Sequence, residues 1–296
     1  KGVMRIMHFK EKLFSRRILY VLLVFVIFIS LFPIVYTLSS SFKSAGEMFD
    51  GTLFPKEFTL RNYVDLFNPP VGHVVTRHFG GVMGFLRMLL NTAIYAVGST
   101  VIALPMAILA AYVITRIDIP YKGMFMLVIV TSYMIPTITI LVPLFQILKW
   151  LKIYNTYIGL ILAYQAILLP TAIWMLSQYF TSIPRQIEEA ARIDGCSWFQ
   201  TVYEIIVPIA APGISAVAIY CLIIIWQEFI MALVLVNSDS LYNIQVGLNM
   251  FTGAVEPVSW GTVMTVSIVV PIPVTILFSK IQKYMVSGLT AGAIKG

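Results

Sequence analysis

Glu188, Glu189, Arg192 and Asp194 crowd four charges into seven residues of a chain in which only 11% of residues are charged. The run reads Glu-Glu-Ala-Ala-Arg-Ile-Asp-Gly, with small side chains between the acids. That pattern suits recognition. A carboxylate can pair with a basic group, and alanines let a partner approach closely. Catalysis is not indicated. His8, His73 and His78 lie outside the apolar runs, and neither H-E-x-x-H nor G-x-S-x-G occurs. His73 and His78 read as ordinary loop residues, so no metal site is expected. There is also no G-x-x-x-x-G-K-[ST] run to hold a nucleotide, so no cofactor is expected in this chain.

A second group lies within the apolar runs: Asn91, Tyr133, Tyr164, Gln165, Tyr220, Gln227 and Glu228. Aromatic faces beside hydrogen-bonding groups could line a path for a hydroxylated solute. The same residue types also bind membrane helices to one another. Glu228 is the one carboxylate well inside an apolar run. Such groups are costly in lipid and usually face the bundle interior. A structural hydrogen bond is favoured for it over contact with a solute.

These residues need elements to carry them. Apolar residues make up 59% of the chain, and its charged fraction is far below the roughly 25% of a soluble domain. No charge interrupts Arg17–Lys43, Arg87–Arg116, Lys122–Lys149, Lys152–Arg185, Glu204–Glu228 or Glu256–Lys280. Each interval can hold the roughly 20 apolar residues of a spanning helix. The expectation is an all-α integral membrane protein with six transmembrane helices, at 18–38, 87–114, 123–147, 157–179, 210–236 and 260–281. The first run is too long for a signal-peptide core and has no small-residue cleavage site after it, so it reads as a retained span.

Six spans put both termini on one side. That side collects Lys1, Arg5, Lys10, Lys12, Arg16, Arg17, Arg116, Lys122, Arg185, Arg192, Lys280, Lys283 and Lys295. The other collects only Lys43, Lys56, Arg61, Arg77, Arg87, Lys149 and Lys152. The richer side is cytoplasmic by the positive-inside rule. Residues 1–17 and the tail 282–296 then lie in the cytoplasm of a cell-membrane protein, around a membrane domain spanning 18–281. The net charge of +7 is a topology signal, with no soluble basic face for nucleic acid. External loops fall at 39–86 and 237–259, and a cytoplasmic loop at 181–208. Cys196 and Cys221 fall in different layers and should not pair. Pro105, Pro136, Pro143, Pro170, Pro271 and Pro273 lie inside spans and should kink them, which favours a moving bundle.

The cytoplasmic loop reads as a helix–turn–helix. Pro184 suits a first helical turn. Ile187, Ala190, Ala191 and Asp194 share a face at helical spacing. Glu188 and Glu189 favour the helix dipole. Gly195 terminates the helix, and Ser197 caps a second one whose apolar stripe is Trp198, Phe199, Val202, Ile205 and Ile206. A helix resting on lipid would have a basic polar face. The acidic face here favours a protein partner.

At these residues the chain resembles a known family. Glu189-Ala190-Ala191, then Gly195, Ile205 and Val207-Pro208, match E-A-A-x3-G-x9-I-x-L-P, the signature of ABC importer membrane subunits. Val207 stands in place of Leu. Gln227, in Trp226-Gln227-Glu228-Phe229, stands in place of the usual Asn of carbohydrate permeases. Gly288–Gly296 is similar to the end of the second membrane subunit of maltose- and trehalose-type importers. The resemblance implies a type I ABC importer permease fold and uptake of a di- or oligosaccharide.

It also implies partners: a second related permease subunit, a dimer of ATP-binding subunits that holds ATP and Mg, an extracytoplasmic sugar-binding protein, and surrounding lipid. Glu188, Glu189, Ala190, Ala191, Asp194, Gly195, Ile205 and Pro208 would form the ATPase-coupling loop. Gly288, Leu289, Thr290, Gly292, Lys295 and Gly296 would reach the ATPase from the tail. Asn249, Met250, Phe251, Thr252 and Gly253 would meet the binding protein. The alternatives are an ABC permease for a non-sugar solute and, against the shortage of buried charges, an ion-coupled secondary transporter.

Overall fold

Regular structure among the described residues is helical throughout, with no strand. Long apolar runs in lipid leave the backbone few other ways to satisfy its polar groups. The computed structural model describes residues 2–68, 81–249 and 259–280, with side chains from Arg16 onward. The chain divides into two compact units, 1–73 with 251–269, and 74–250 with 270–296.

In the first unit, helix α1 (Gly2–Ser40) carries the most apolar stretch of the chain. Its window within Arg16–Ser40 is 0% buried. The segment after it folds around a lysine. The Lys43 side chain is fully buried, donates to the Thr52 carbonyl oxygen and lies 3.7 Å from Asp50. Phe42 stacks on Phe58 and Tyr63. Asn62, in α2 (Arg61–Phe67), donates to the carbonyls of Ser41 and Lys43, at 2.9 Å each. A Cβ at Gly261 would stand 2.2 Å from the Asn62 Oδ1, so only glycine fits there. Lys56, 2.9 Å from Asp50, holds that carboxyl well below the usual carboxylate range, helped by the Thr52 hydroxyl and N–H.

The second unit is built on α3 (Gly81–Arg116). Its Ala96, Ala103, Ala107 and Ala111 are all essentially inaccessible and follow helical spacing. Small residues let neighbouring helices approach closely. The expected span over 123–147 is two helices, α4 (Lys122–Tyr133) and α5 (Thr137–Trp150), bent by 98°. Proline disfavours helical geometry in the residue before it, and Pro136 has extended backbone, with ψ 130°, just before α5. The expected span over 157–179 is α6 (Tyr157–Ala163) and α7 (Gln165–Thr181), bent by 42° at Tyr164.

The loop helices follow: α8 (Gln186–Ile193) and α9 (Trp198–Ile209). After a 78° bend comes α10 (Ala211–Trp226). Here too the expected span, 210–236, is interrupted. It breaks at residues 227–229 and resumes as α11 (Ile230–Leu235). A short α12 (Ile244–Asn249) follows. Among the described residues the last helical stretch runs Trp260–Lys280. Three helices among the described residues are long and apolar enough to cross a membrane alone, and counting each bent pair as one span gives up to six. Pro105, Pro143 and Pro170 sit inside unbroken helices, whereas Pro136 stands at a break and Pro271 follows the turn at Val270.

Candidate functional site: a helix–turn–helix loop and an aromatic groove

The turn between α8 and α9 is made by glycine geometry. Gly195 has φ +86°, a conformation costly for other residues. The N–H of Cys196 bonds the Ala191 carbonyl at 3.0 Å, and the N–H of Gly195 bonds that of Arg192 at 3.1 Å. This 6→1 and 5→2 pair closes a helix end. Ser197 then starts α9 with a reciprocal capping box, its hydroxyl accepting from the Gln200 N–H while its own N–H donates to the Gln200 side chain.

The two adjacent glutamates face different ways. Glu188 is buried, with Arg116 Nε at 2.7 Å from one carboxylate oxygen and the Tyr112 hydroxyl donating to the other at 2.8 Å. Arg116 Nη2 also donates to the carbonyls of Phe180 and Ile183, at 2.8 and 2.9 Å, at the end of α7. Glu189 is exposed, as are Ala190, Asp194 and Gly195, while Ala191 turns inward. The expected shared face of Ile187, Ala190, Ala191 and Asp194 is therefore split. The inner side is Ile187, Glu188 and Ala191, because burying an ion pair there fixes the rotation of the helix. The outer side gains Ile193, which is 86% exposed.

The stripe of α9 also shifts. Val202 and Ile206 are fully buried, Ile205 is half-buried, and Trp198, Phe199 and Pro208 are exposed. Residues Thr201–Ile206 form a π-helical turn, whose wider winding moves the inward face out of a 3.6-residue register. Trp198 meets Tyr112 edge-on, with ring centroids 5.6 Å apart.

The polar residues of the spans divide into two sets. Asn91 donates to the carbonyls of Ser240 and Tyr242 and accepts from the Tyr157 hydroxyl at 2.6 Å. Gln165 bonds the carbonyls of Ser99 and Ile161. Glu228 accepts the N–H groups of Met231 and Ala232, at 2.8 and 3.2 Å, and the Tyr164 hydroxyl at 3.0 Å. Its carboxylate thus caps α11 and replaces the helical bonds lost at the break. These four are committed to packing. Tyr133 and Tyr220, by contrast, both line two adjoining cavities of about 320 and 440 Å³, walled also by Ile167, Pro170, Thr171 and Trp174. Gln227 is exposed at the break after α10.

Asn249 is exposed at the end of α12. Met250, Phe251, Thr252 and Gly253 lie outside the described residues, as do Gly288, Leu289, Thr290, Gly292, Lys295 and Gly296. Sequence reasoning missed Tyr112, Arg116 and Ile193. Arg116 carried one signal, as the charge that ends the long uncharged run from Arg87.

Residues 103–290 match the family described as the binding-protein-dependent transport system inner membrane component. The chain belongs to this family. Its match covers the loop, α3 from Ala103 on, and the groove. Among relatives of this transport component, an inner membrane ABC transporter permease of Escherichia coli (YcjP) is 36% identical over 90% of this chain and 92% of its own length. The trehalose/maltose permease MalG of Thermococcus litoralis is 32% identical over 97% of this chain and 99% of its own. In fold, the permease is similar to a subunit of a bacterial ABC transporter that imports the acidic polysaccharide alginate. The TM-score is 0.72 at 23% identity, covering 93% of this chain and 97% of the other. The expected type I ABC importer permease fold is therefore present, and the chain is a membrane transport component rather than an enzyme.

Proposed function

We propose that this permease imports a sugar, a di- or oligosaccharide, and that the loop at 181–208 couples its pore to a separate ATP-hydrolysing subunit. The observation that carries the coupling role is the outward face of α8. Glu189, Ala190, Ile193 and Asp194 are presented together on a helix fixed from behind by its inward neighbours. An exposed isoleucine between two carboxylates fits a partner cleft with an apolar floor and a basic rim. A lipid surface would select the opposite charge.

The sugar assignment draws on relatives named for trehalose and maltose, and on a sulfoquinovosyl glycerol permease of Agrobacterium fabrum that is 33% identical. The groove between Tyr133 and Tyr220 supplies aromatic faces for such a cargo. A binding protein on the outer side delivers it, meeting the segment from Asn249 to Gly253. A second permease subunit and two ATP-binding subunits complete the complex, with ATP and Mg on the latter and the tail Gly288–Gly296 reaching them. Both termini of the permease lie in the cytoplasm. ATP-driven closure shifts the population of the pore between two states.

Affinity purification from the native membrane tests the reading. The permease should bring down an ATP-hydrolysing subunit, and Glu189→Lys should abolish uptake of the sugar bound by the associated binding protein. Unchanged uptake in that variant overturns the coupling role. A binding protein that takes only amino acids or peptides overturns the sugar assignment.

A further inference from the structure

The outward face of α8 leaves its inward carboxylate unexplained. Glu188 is next to the proposed docking residue Glu189 but lies about 100° around the helix from it. One oxygen accepts the Tyr112 hydroxyl at 2.8 Å and the other lies 2.7 Å from Arg116 Nε as an ion pair rather than an aligned hydrogen bond, and both partners belong to the last turns of α3. Arg116 is itself tied to two carbonyls at the end of α7. Around this knot, Arg185 donates to the Thr115 carbonyl at 3.0 Å, a second link from the loop to α3. Apolar contacts such as those of Ala191 tolerate slip. A buried carboxylate with a hydrogen bond at one oxygen and a guanidinium charge at the other is held more firmly than an apolar contact.

The other end of α3 is attached to a different loop in the same manner. Asn91 bonds the carbonyls of Ser240 and Tyr242, Tyr95 that of Leu241 at 2.8 Å, and Thr92 accepts the Ile244 N–H at 2.9 Å. From Asn91 to Arg116 the helix runs for about 37 Å at its usual rise. One helix thus holds segment 240–244 at one end and α8 at the other, at each end through side-chain hydrogen bonds.

We propose that α3 is a strut joining these two loops and that Glu188 is its positioning residue at the α8 end, carrying movement of α8 into the bundle without touching the ATPase. The proposal rests on the import reading above. It separates two neighbouring acids: Glu189 docks, Glu188 transmits.

The test uses the assembled complex with its binding protein and compares R116M/E188M with Glu189→Lys. The double substitution removes both charges at similar volume, so neither is left buried without a partner. It should retain the ATP-binding subunit in full and still hydrolyse ATP, while uptake per ATP hydrolysed falls about tenfold. Glu189→Lys should lose the subunit. Uptake per ATP at the wild-type level in the double variant overturns the proposal, because the pair is then only packing. Loss of the ATP-binding subunit from R116M/E188M but not from Glu189→Lys overturns it too, because Glu188 is then the docking contact. Tyr112→Phe removes a single hydroxyl and serves if the double variant does not assemble. It should lower uptake per ATP about twofold with the subunit retained, and an unchanged ratio counts against the strut. Wild-type permease that brings down no ATP-binding subunit overturns the import reading itself.

Discussion

Two glutamates of the second unit, buried Glu188 near one end of α3 and half-buried Glu228 at the break after α10, solve the same problem by different means. Glu188 is met by a guanidinium and a phenol, so its charge is answered by another charge. Glu228 is met by two backbone N–H groups and a phenol, so its charge is answered by dipoles. An ion pair links two separate elements, since its halves come from α8 and α3. A carboxylate bonded to N–H groups three and four residues ahead serves its own helix end. The first arrangement can carry displacement between elements. The second holds a local shape, and its failure should remain local.

That contrast ranks the expected effects. Glu188→Gln strands a buried guanidinium and should destabilise the folded permease by about 3 kcal/mol, read as a lowered thermal unfolding midpoint in detergent. Glu228→Gln keeps one acceptor oxygen for one N–H and should lose about 1 to 2 kcal/mol by the same measurement. Equal losses would erase the distinction drawn here. Tyr95→Phe removes one bond to the Leu241 carbonyl and should cost about 0.6 kcal/mol. Its effect should appear as faster hydrogen exchange confined to segment 240–246.

The smallest effect belongs to the first unit. The Asp50 carboxyl titrates below its ordinary range because Lys56 and Thr52 hold its charged form. Its contribution is present above the ordinary carboxylate range and is lost as pH falls through its own lowered value. Acidification should therefore loosen segment 43–56, and Asp50→Asn should abolish that pH dependence. Hydrogen exchange at the Thr52 N–H, which donates to Asp50, reports both.

Membrane character was legible from charge spacing, because a long uncharged apolar interval suits lipid, but the bends that divide the expected spans were not. Gly195 and Ser197 were legible because left-handed geometry and capping select residue type directly. The rotation of α8 was not. It depends on Arg116, which is 72 residues before Glu188 in the chain and meets it only after folding. The break at 227–229 was equally hidden, since no proline or glycine marks it and the residue that stabilises it, Glu228, reads as a path candidate. Of the path residues, only Tyr133 and Tyr220 reach the cavities, because sequence gives polarity within a span but not the side from which a partner arrives.

The bare surface of α1 has a consequence in time. A ribosome makes this helix before every other described one, so it enters the bilayer when no later segment of the chain yet exists. Its apolar window is 0% buried within this chain, so that stretch needs no later segment, although the helix also packs against the one that starts at Trp260. Its own helical hydrogen bonds satisfy its backbone in lipid, so it can insert before the helix it later packs against has been made. The helices that follow must be held until their partners emerge, so any delay in translation after α1 falls on them.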